Sequence, residues 1–215
     1  MKLYLNNASP YARLIRVLLI ETGLDGATEL VFVDPWTSPP DLLAANPAAK
    51  IPTLVLDDGT ALIESSCIAD YLVRLSGQTV LTPPPTADQG ARLRILGLGR
   101  AAIDCAFGAV IQQRFAPQSP LIDRWLSAVP GIAAALNKQL STCPPGDGID
   151  QGDLTMAVAF EYVDFRLPDV PWKSVAPHLI ERVRFVGQRP ALASTAPTAN
   201  NSDGNQSRKI ASKQS

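Results

Sequence analysis

Three short polar motifs in the first third of the chain have the residue types to hold an extended, anionic ligand. Ser9 and Pro10 stand between an apolar triplet, Leu3, Tyr4 and Leu5, and apolar residues at helical spacing, Tyr11, Leu14, Ile15 and Leu18. Serine at that point caps a helix, and proline suits its first turn. The unpaired N–H groups and positive end of the same helix favour an anion such as a thiolate, toward which Ser9 would donate a hydrogen bond. Asn7 is close enough to assist or replace Ser9, and the sequence leaves open which of the two faces such an anion. Lys50, Ile51 and Pro52 form the second motif. A proline at a strand entrance accommodates a trans or a cis peptide; the cis form would turn the N–H and C=O of Ile51 outward to pair with an extended ligand. Glu64 and Ser65 are the third. They precede Ile68, Tyr71, Leu72 and Leu75, an apolar helical stripe for which Ser65 or Ser66 reads as the cap and Glu64 as an acid suited to the dipole.

The pattern around these motifs alternates between strand and helix. Leu3, Tyr4 and Leu5 read as a strand, the stripe from Tyr11 as a helix, 29–33 as a strand and 41–45 as a short helical piece. Two further short strands, 53–56 and 61–63, flank Asp57, Asp58, Gly59 and Thr60, and Asp-Gly between apolar runs signals a hairpin. With the stripe from Ile68 as a third helix, residues 1–76 read as a βαβαββα unit. Residues 77–88, with Pro83, Pro84 and Pro85, support neither helix nor central strand and are assigned as a linker. Beyond it, 89–196 reads as an all-helical domain, with helices over 89–114, 121–141 (broken near Pro130 and Gly131), 155–166 and 177–188. Residues 197–215 are crowded with Asn, Ser and Gln and read as a disordered polar tail.

Composition narrows the function classes. The 215 residues are 46% apolar and 18% charged, enough to bury a sizeable core. Nineteen basic residues against 20 acidic give a net charge of −1, so no electrostatic footprint for nucleic acid is present. Three cysteines and one histidine, with no CxxC pair, argue against a disulfide scaffold or a zinc site and suit a reducing, cytoplasmic setting. The opening KLYLNNASPYAR is not a secretory signal, and the early apolar stretch, 14–20, contains Arg16 and is too short to span a bilayer, so no membrane is expected as a partner. Competing motifs are weaker. Gly97, Leu98 and Gly99 imitate part of a dinucleotide fingerprint but lie inside a helical pattern with no strand before them. His178 has no partner cluster and reads as a surface or helix-start residue, and Cys67 reads as packed core.

The order of the motifs, a serine after the first strand, Ile-Pro before the third and Glu-Ser before the third helix, resembles a cytosolic glutathione S-transferase. The segments that carry the likeness are NNASPYARLIRVLLIE, NPAAKIPTLVLDDGTALIESSCIADYL and GDLTMAVAF, and the bacterial YibF-like group is the most similar subgroup. The resemblance implies a thioredoxin-like N-terminal domain joined to an all-α domain. It also implies glutathione as co-substrate with no metal, and a homodimer. Ser9 would then donate to the glutathione sulfur, Ile51 would pair by backbone with the cysteinyl part and Pro52 would be cis. Glu64 and Ser65 would bind the γ-glutamyl amine and carboxylate, and Lys50 would reach the glycyl carboxylate. The implied partners are glutathione and a small, largely apolar electrophile, with Ile103, Phe107, Ile111, Arg100 and Arg114 of the 89–114 helix facing it. Where many members have a Ser/Thr-x-x-Asp capping box on the core helix, Thr155 is followed three residues later by Val158, leaving Thr155 to cap alone with Leu154 and Ala159 as a weak staple. A non-catalytic glutathione-binding protein of the same fold is the alternative; an interaction module without glutathione affinity is a third.

Overall fold

The apolar triplet Leu3, Tyr4 and Leu5 puts Lys2–Leu5 (β1) inside a sheet, where its last three residues are buried. The computed structural model describes residues 1–77, 81, 89–142 and 148–197. β1 lies between Glu29–Phe32 (β2), which runs parallel to it, and Thr53–Val55 (β3), which runs antiparallel; Ala61–Ile63 (β4) pairs antiparallel with β3 and completes the order β2-β1-β3-β4. At the hairpin tip Asp58 accepts from the Thr60 N–H at 2.8 Å, and Gly59 takes φ 87°, a conformation glycine adopts without penalty. Helices Pro10–Thr22 (α1), Pro40–Ala45 (α2) and Ser65–Ser76 (α3) complete the thioredoxin-like N-terminal half, in the βαβαββα order read from the sequence.

The C-terminal half is helical: Gln89–Phe115 (α4), Leu121–Leu140 (α5), Gln151–Arg166 (α6), Pro177–Gly187 (α7) and Pro190–Ser194 (α8). Of the 77–88 segment only Gly77 and Leu81 are described, Leu81 being buried in the core, and 198–215 lies outside the described residues. α4 is long and apolar enough to cross a membrane, but its Ile95, Ala102, Ile103, Ala106 and Ala109 are buried where it packs on α5 and α6.

Three expectations from the sequence are corrected. α5 is continuous through Pro130. A proline removes one ladder N–H and crowds the carbonyl four residues back. Val129 before it, and Ala133, Leu136 and Leu140 after it, are all buried, and α5 packs on α4. α6 begins at Gln151, not near Thr155, and its cap is Asp150: the Asp150 carboxylate accepts from the Asp153 N–H at 3.1 Å, and Asp153 accepts from the Asp150 N–H at 3.1 Å. This is a reciprocal capping box made of two aspartates. Thr155 instead donates to the Gln151 carbonyl at 2.8 Å, and Leu154 and Ala159 lie buried within the helix and do not flank its start. Finally, Cys67 is exposed on α3 and is not core, because the buried face carries Ile68, Ala69, Leu72 and Val73.

The α4–α6 crossing accounts for Gly99. A Cβ there would meet the Met156 backbone nitrogen at 3.1 Å and Thr155 Cγ2 at 3.2 Å, whereas one at Gly97 would meet nothing within 4 Å. We expect Gly99→Val to lose about 1 to 3 kcal/mol by overpacking. Gly97→Ala should gain about 0.5 to 1 kcal/mol by limiting the unfolded chain. Urea midpoints of the two variants check this, and a stabilised Gly99→Val would contradict it.

One core runs through both halves. α1 joins them at two points. The buried Arg13 pairs with Glu161 of α6 and donates to the Leu192 carbonyl of α8 at 3.2 Å, while Arg189 donates to Glu21 from Nε at 2.7 Å and pairs with it again through Nη2.

Candidate functional site

Strand register decides where the polar motifs meet. β1 and β2 are parallel, so the chain leaves both at one end of the sheet, where the Val33 N–H donates to the Leu5 carbonyl at 2.9 Å. β3 enters at that end, with Thr53 opposite Tyr4, and β4 leaves there, with Ile63 opposite Thr53. Asn7 and Ser9 after β1, Lys50, Ile51 and Pro52 before β3, and Glu64 and Ser65 after β4 therefore lie at a common end. It is the carboxyl end of the parallel pair, where open α/β sheets bind ligands.

Ser9 is buried at the N-cap of α1, its oxygen accepting from the Ala12 N–H at 3.2 Å. Accepting there leaves the hydroxyl proton for donation elsewhere, so capping and donation are compatible. Asn6 shapes the turn before it, its Oδ1 accepting from the Ala8 N–H at 3.1 Å and the Ser9 N–H at 2.8 Å. Asn7 Oδ1 accepts from Arg16 Nη1 at 3.2 Å, which turns the amide NH₂ of Asn7 away from Arg16.

The Ile51–Pro52 peptide is cis and Ile51 is half-buried. The turn ahead of it is organised by the buried Asn46. Its Nδ2 donates to the Lys50 carbonyl and to Thr53 Oγ1, each at 3.0 Å, while its Oδ1 accepts from the Ala48 N–H at 3.0 Å. Lys50 is exposed, its backbone held by this turn and its ammonium toward solvent. Glu64 is the N-cap of α3 at φ 66° and ψ 119°, a left-handed value that costs a non-glycine residue roughly 1 to 3 kcal/mol. Ser65 is the first helical residue and not the cap, and no side-chain hydrogen bond caps α3. The hydroxyl of Ser65 and the N–H groups of Ser65 and Ser66 are thus not spent on the helix, while the Cys67 N–H donates to the Glu64 carbonyl at 3.0 Å.

Across from the sheet end stands α4. Tyr11 donates to Asp104 Oδ1 at 2.7 Å and sets its ring edge-on to Phe107 at 5.3 Å. Burial first, and then the bond to Asp104, push the Tyr11 phenol well above its ordinary pKa, so it stays protonated with its proton committed to Asp104. Of the α4 residues expected to face a second substrate, Ile103 is buried in the core, whereas Phe107 meets Tyr11 and Arg114 lies over the rings of Trp36 and Phe115.

The match to known proteins covers the same ground. Residues 8–75 match the glutathione S-transferase N-terminal domain family. A glutathione S-transferase from Methylobacterium radiotolerans, solved in complex with glutathione sulfonate, is 27% identical with a TM-score of 0.81, over 93% of this chain and 96% of that one. Residues 8–75 therefore carry a glutathione S-transferase N-terminal domain, and the chain as a whole is similar in fold to glutathione S-transferases. A glutathione transferase family member from Pseudomonas fluorescens, solved with bound glutathione, is 28% identical with a TM-score of 0.78, over 92% of this chain and 99% of that one. The uncharacterized GST-like protein YibF of Escherichia coli is 25% identical over 92% of this chain and 98% of its own length, in keeping with the YibF-like resemblance.

Within this glutathione S-transferase fold, several residues at the sheet end carry no sequence signature. Asn6 and Asn46 act through local turns that a run such as NNAS or NPAAK only suggests. Tyr11 with Asp104, and Trp36 with Phe115, meet across 93 and 79 residues, separations that no local pattern reveals.

Proposed function

We propose that this protein is a cytoplasmic glutathione transferase that binds glutathione along the open end of its sheet and favours its thiolate for attack on a small electrophile. The observation that carries this reading is the convergence of three polar motifs on the carboxyl end of the parallel strands, with Ser9 buried at a helix N-terminus. In this reading Ile51 pairs with the cysteinyl backbone. Glu64 takes the γ-glutamyl ammonium, Ser65 and the first turn of α3 take its carboxylate, and Lys50 faces the glycyl carboxylate.

A free thiol of pKa ~8.5 is mostly protonated at neutral pH. Lowering that value by about 2 units asks for about 2.7 kcal/mol of preferential stabilisation. A charge-assisted bond from a neutral hydroxyl, with the positive end of α1 behind it, is of that order. The thiol proton leaves to solvent, the sulfur lone pair forms the C–S bond, and the leaving group departs with the electron pair of the bond it breaks.

Isothermal titration with glutathione tests the reading. Glu64→Ala and Ser65→Ala should each weaken binding by about 1.5 to 3 kcal/mol, the worth of a hydrogen bond to a charged group. Neither change removes a cap, so circular dichroism should stay native. Wild-type affinity in both variants would overturn the assignment, and binding without turnover toward any electrophile would leave a glutathione-binding protein that is not a transferase. The same proposal includes a homodimer. Sedimentation should give twice 22.9 kDa at micromolar concentration, and a single monomeric species would exclude it.

A further inference from the structure

Building on the glutathione reading above, we propose that Arg16 is a positioning residue of the sulfur site. It supplies a positive charge that no acid among the described residues neutralises, and it settles which end of the Asn7 amide is left to donate. Ser9 and Arg16 are seven residues apart, two turns of α1, and so stand on one face of that helix. A long helical side chain leans back toward the helix N-terminus. Arg16 does so here: its Nη1 donates to Asn7 Oδ1 at 3.2 Å, in the loop two residues ahead of Ser9. Its second support is Phe32, the last residue of β2, whose ring centre lies 5.9 Å from the guanidinium carbon. Leu5 and Phe32 are partners in the parallel register, so this charge stands at the same carboxyl end of the sheet as the polar motifs.

The neighbouring charges have other partners. Arg13, three residues closer to Ser9, pairs with Glu161 of α6. On α4, Asp104 accepts from Tyr11. Asp34, two residues past Phe32, accepts from the Trp36 N–H at 3.1 Å, and Glu64 at the start of α3 is the acid assigned to the γ-glutamyl ammonium. Arg16 itself is half-buried, and its hydrogen-bond partner is a neutral amide. Burial first, and then the charge of Arg13, push its guanidinium below the ordinary arginine pKa, as befits a cation without a counter-ion. It nevertheless stays protonated at neutral pH. A thiolate beside Ser9 gives this charge an anion to face and a neutral thiol does not, so Arg16 favours ionisation of the sulfur. A guanidinium has donors and no acceptor, so the Asn7 atom that faces it is the carbonyl oxygen, and the amide NH₂ stays available to an anion.

S-methylglutathione, which keeps the tripeptide but has no thiol to ionise, separates this inference from the reading beneath it. In full-length Arg16→Gln the pKa of the bound glutathione thiol, followed by thiolate absorbance against pH, should rise by about 0.5 to 1 unit, the effect of removing one nearby charge. Glutathione affinity at pH 8, where the bound sulfur is ionised, should fall roughly threefold or more. S-methylglutathione affinity should change less than about twofold, because its sulfur carries no charge for Arg16 to face. Arg16→Lys keeps the charge and should recover most of the pKa shift. An unchanged thiol pKa in Arg16→Gln, or losses of equal size for glutathione and S-methylglutathione, would overturn the role of Arg16 while leaving glutathione binding intact. A wild type that binds neither ligand would overturn both.

Discussion

Asp153→Ala will destabilise the protein by about 3 to 5 kcal/mol, the cost of leaving a buried charge without its partner. Asp153 is fully buried on α6 and accepts from Arg182 twice, Nε to Oδ1 and Nη2 to Oδ2, each at 2.9 Å. It also supplies half of the capping box and lies 3.7 Å from Arg92. Alanine removes all of these acceptors while Arg182 stays 3% exposed between α6 and α7. Domains of this kind have about 5 to 15 kcal/mol in hand, so the variant should unfold at much lower urea and accumulate poorly. The neighbouring Asp150→Asn is the contrast, because asparagine caps as well as aspartate. Burial first, and then the charge of Asp153, raise the Asp150 pKa above the ordinary aspartate value, so its ionised form is disfavoured in the folded state. In the window between the ordinary and the raised value the folded state binds more protons than the unfolded one, and this contribution to stability grows as pH falls. Urea titrations from pH 7 to pH 4 should show that increment in the wild type relative to Asp150→Asn. An Asp153→Ala midpoint close to wild type would refute the network's importance.

On the proposed reading the largest effect on activity belongs to Ser9, where capping and thiolate stabilisation can be separated. A cap needs an acceptor oxygen, and the thiolate needs a donor. Ser9→Ala removes both and should lose about 0.5 to 2 kcal/mol of stability. Losing a charge-assisted bond of about 1.5 to 3 kcal/mol should also raise the bound thiol pKa by 1 to 2 units and cut neutral-pH turnover roughly 10- to 100-fold. Ser9→Asp keeps an acceptor for the Ala12 N–H but sets a negative charge beside the sulfur, so it should fold stably and still lose activity. The bound-thiolate absorbance as a function of pH, read beside thermal midpoints, decides the matter. An unshifted thiol pKa in both variants moves the donor role to the Asn7 amide.

What the sequence made legible follows how far each signal reaches. Ser9, Pro10 and the stripe from Tyr11 to Leu18 lie within one helix, so cap and buried face could be read together; likewise the Asp-Gly hairpin sits between adjacent strands. The meeting of the motifs at one sheet end was readable only through resemblance, because it depends on β1 pairing with a strand some fifty residues away. The errors have physical causes. Pro130 broke a local rule that packing on α4 outweighs. The Asp150 cap departs from the usual signature because its box pairs one aspartate with another three residues on, ahead of the apolar run from Leu154. Cys67 stands beside Ile68, Ala69 and Leu72 in sequence, but these face the other side of α3. Arg13 and Arg182, buried and paired across the fold, give no local sign of either property.

The two ion pairs at the ends of α1 bear on how freely the halves can be exchanged between relatives. The helix that carries Ser9 is seated as much by Glu161, Arg189 and the Leu192 carbonyl as by its own sheet. A chimera that grafts a foreign helical half onto residues 1–77 inherits Arg13 as an obligation. Unless the graft brings an acid to the place of Glu161, it buries a guanidinium without a counter-charge, a penalty of several kcal/mol that a lowered thermal midpoint would register. Modularity in this architecture is therefore conditional: a new helical half can be borrowed only together with the residues that hold α1 in register.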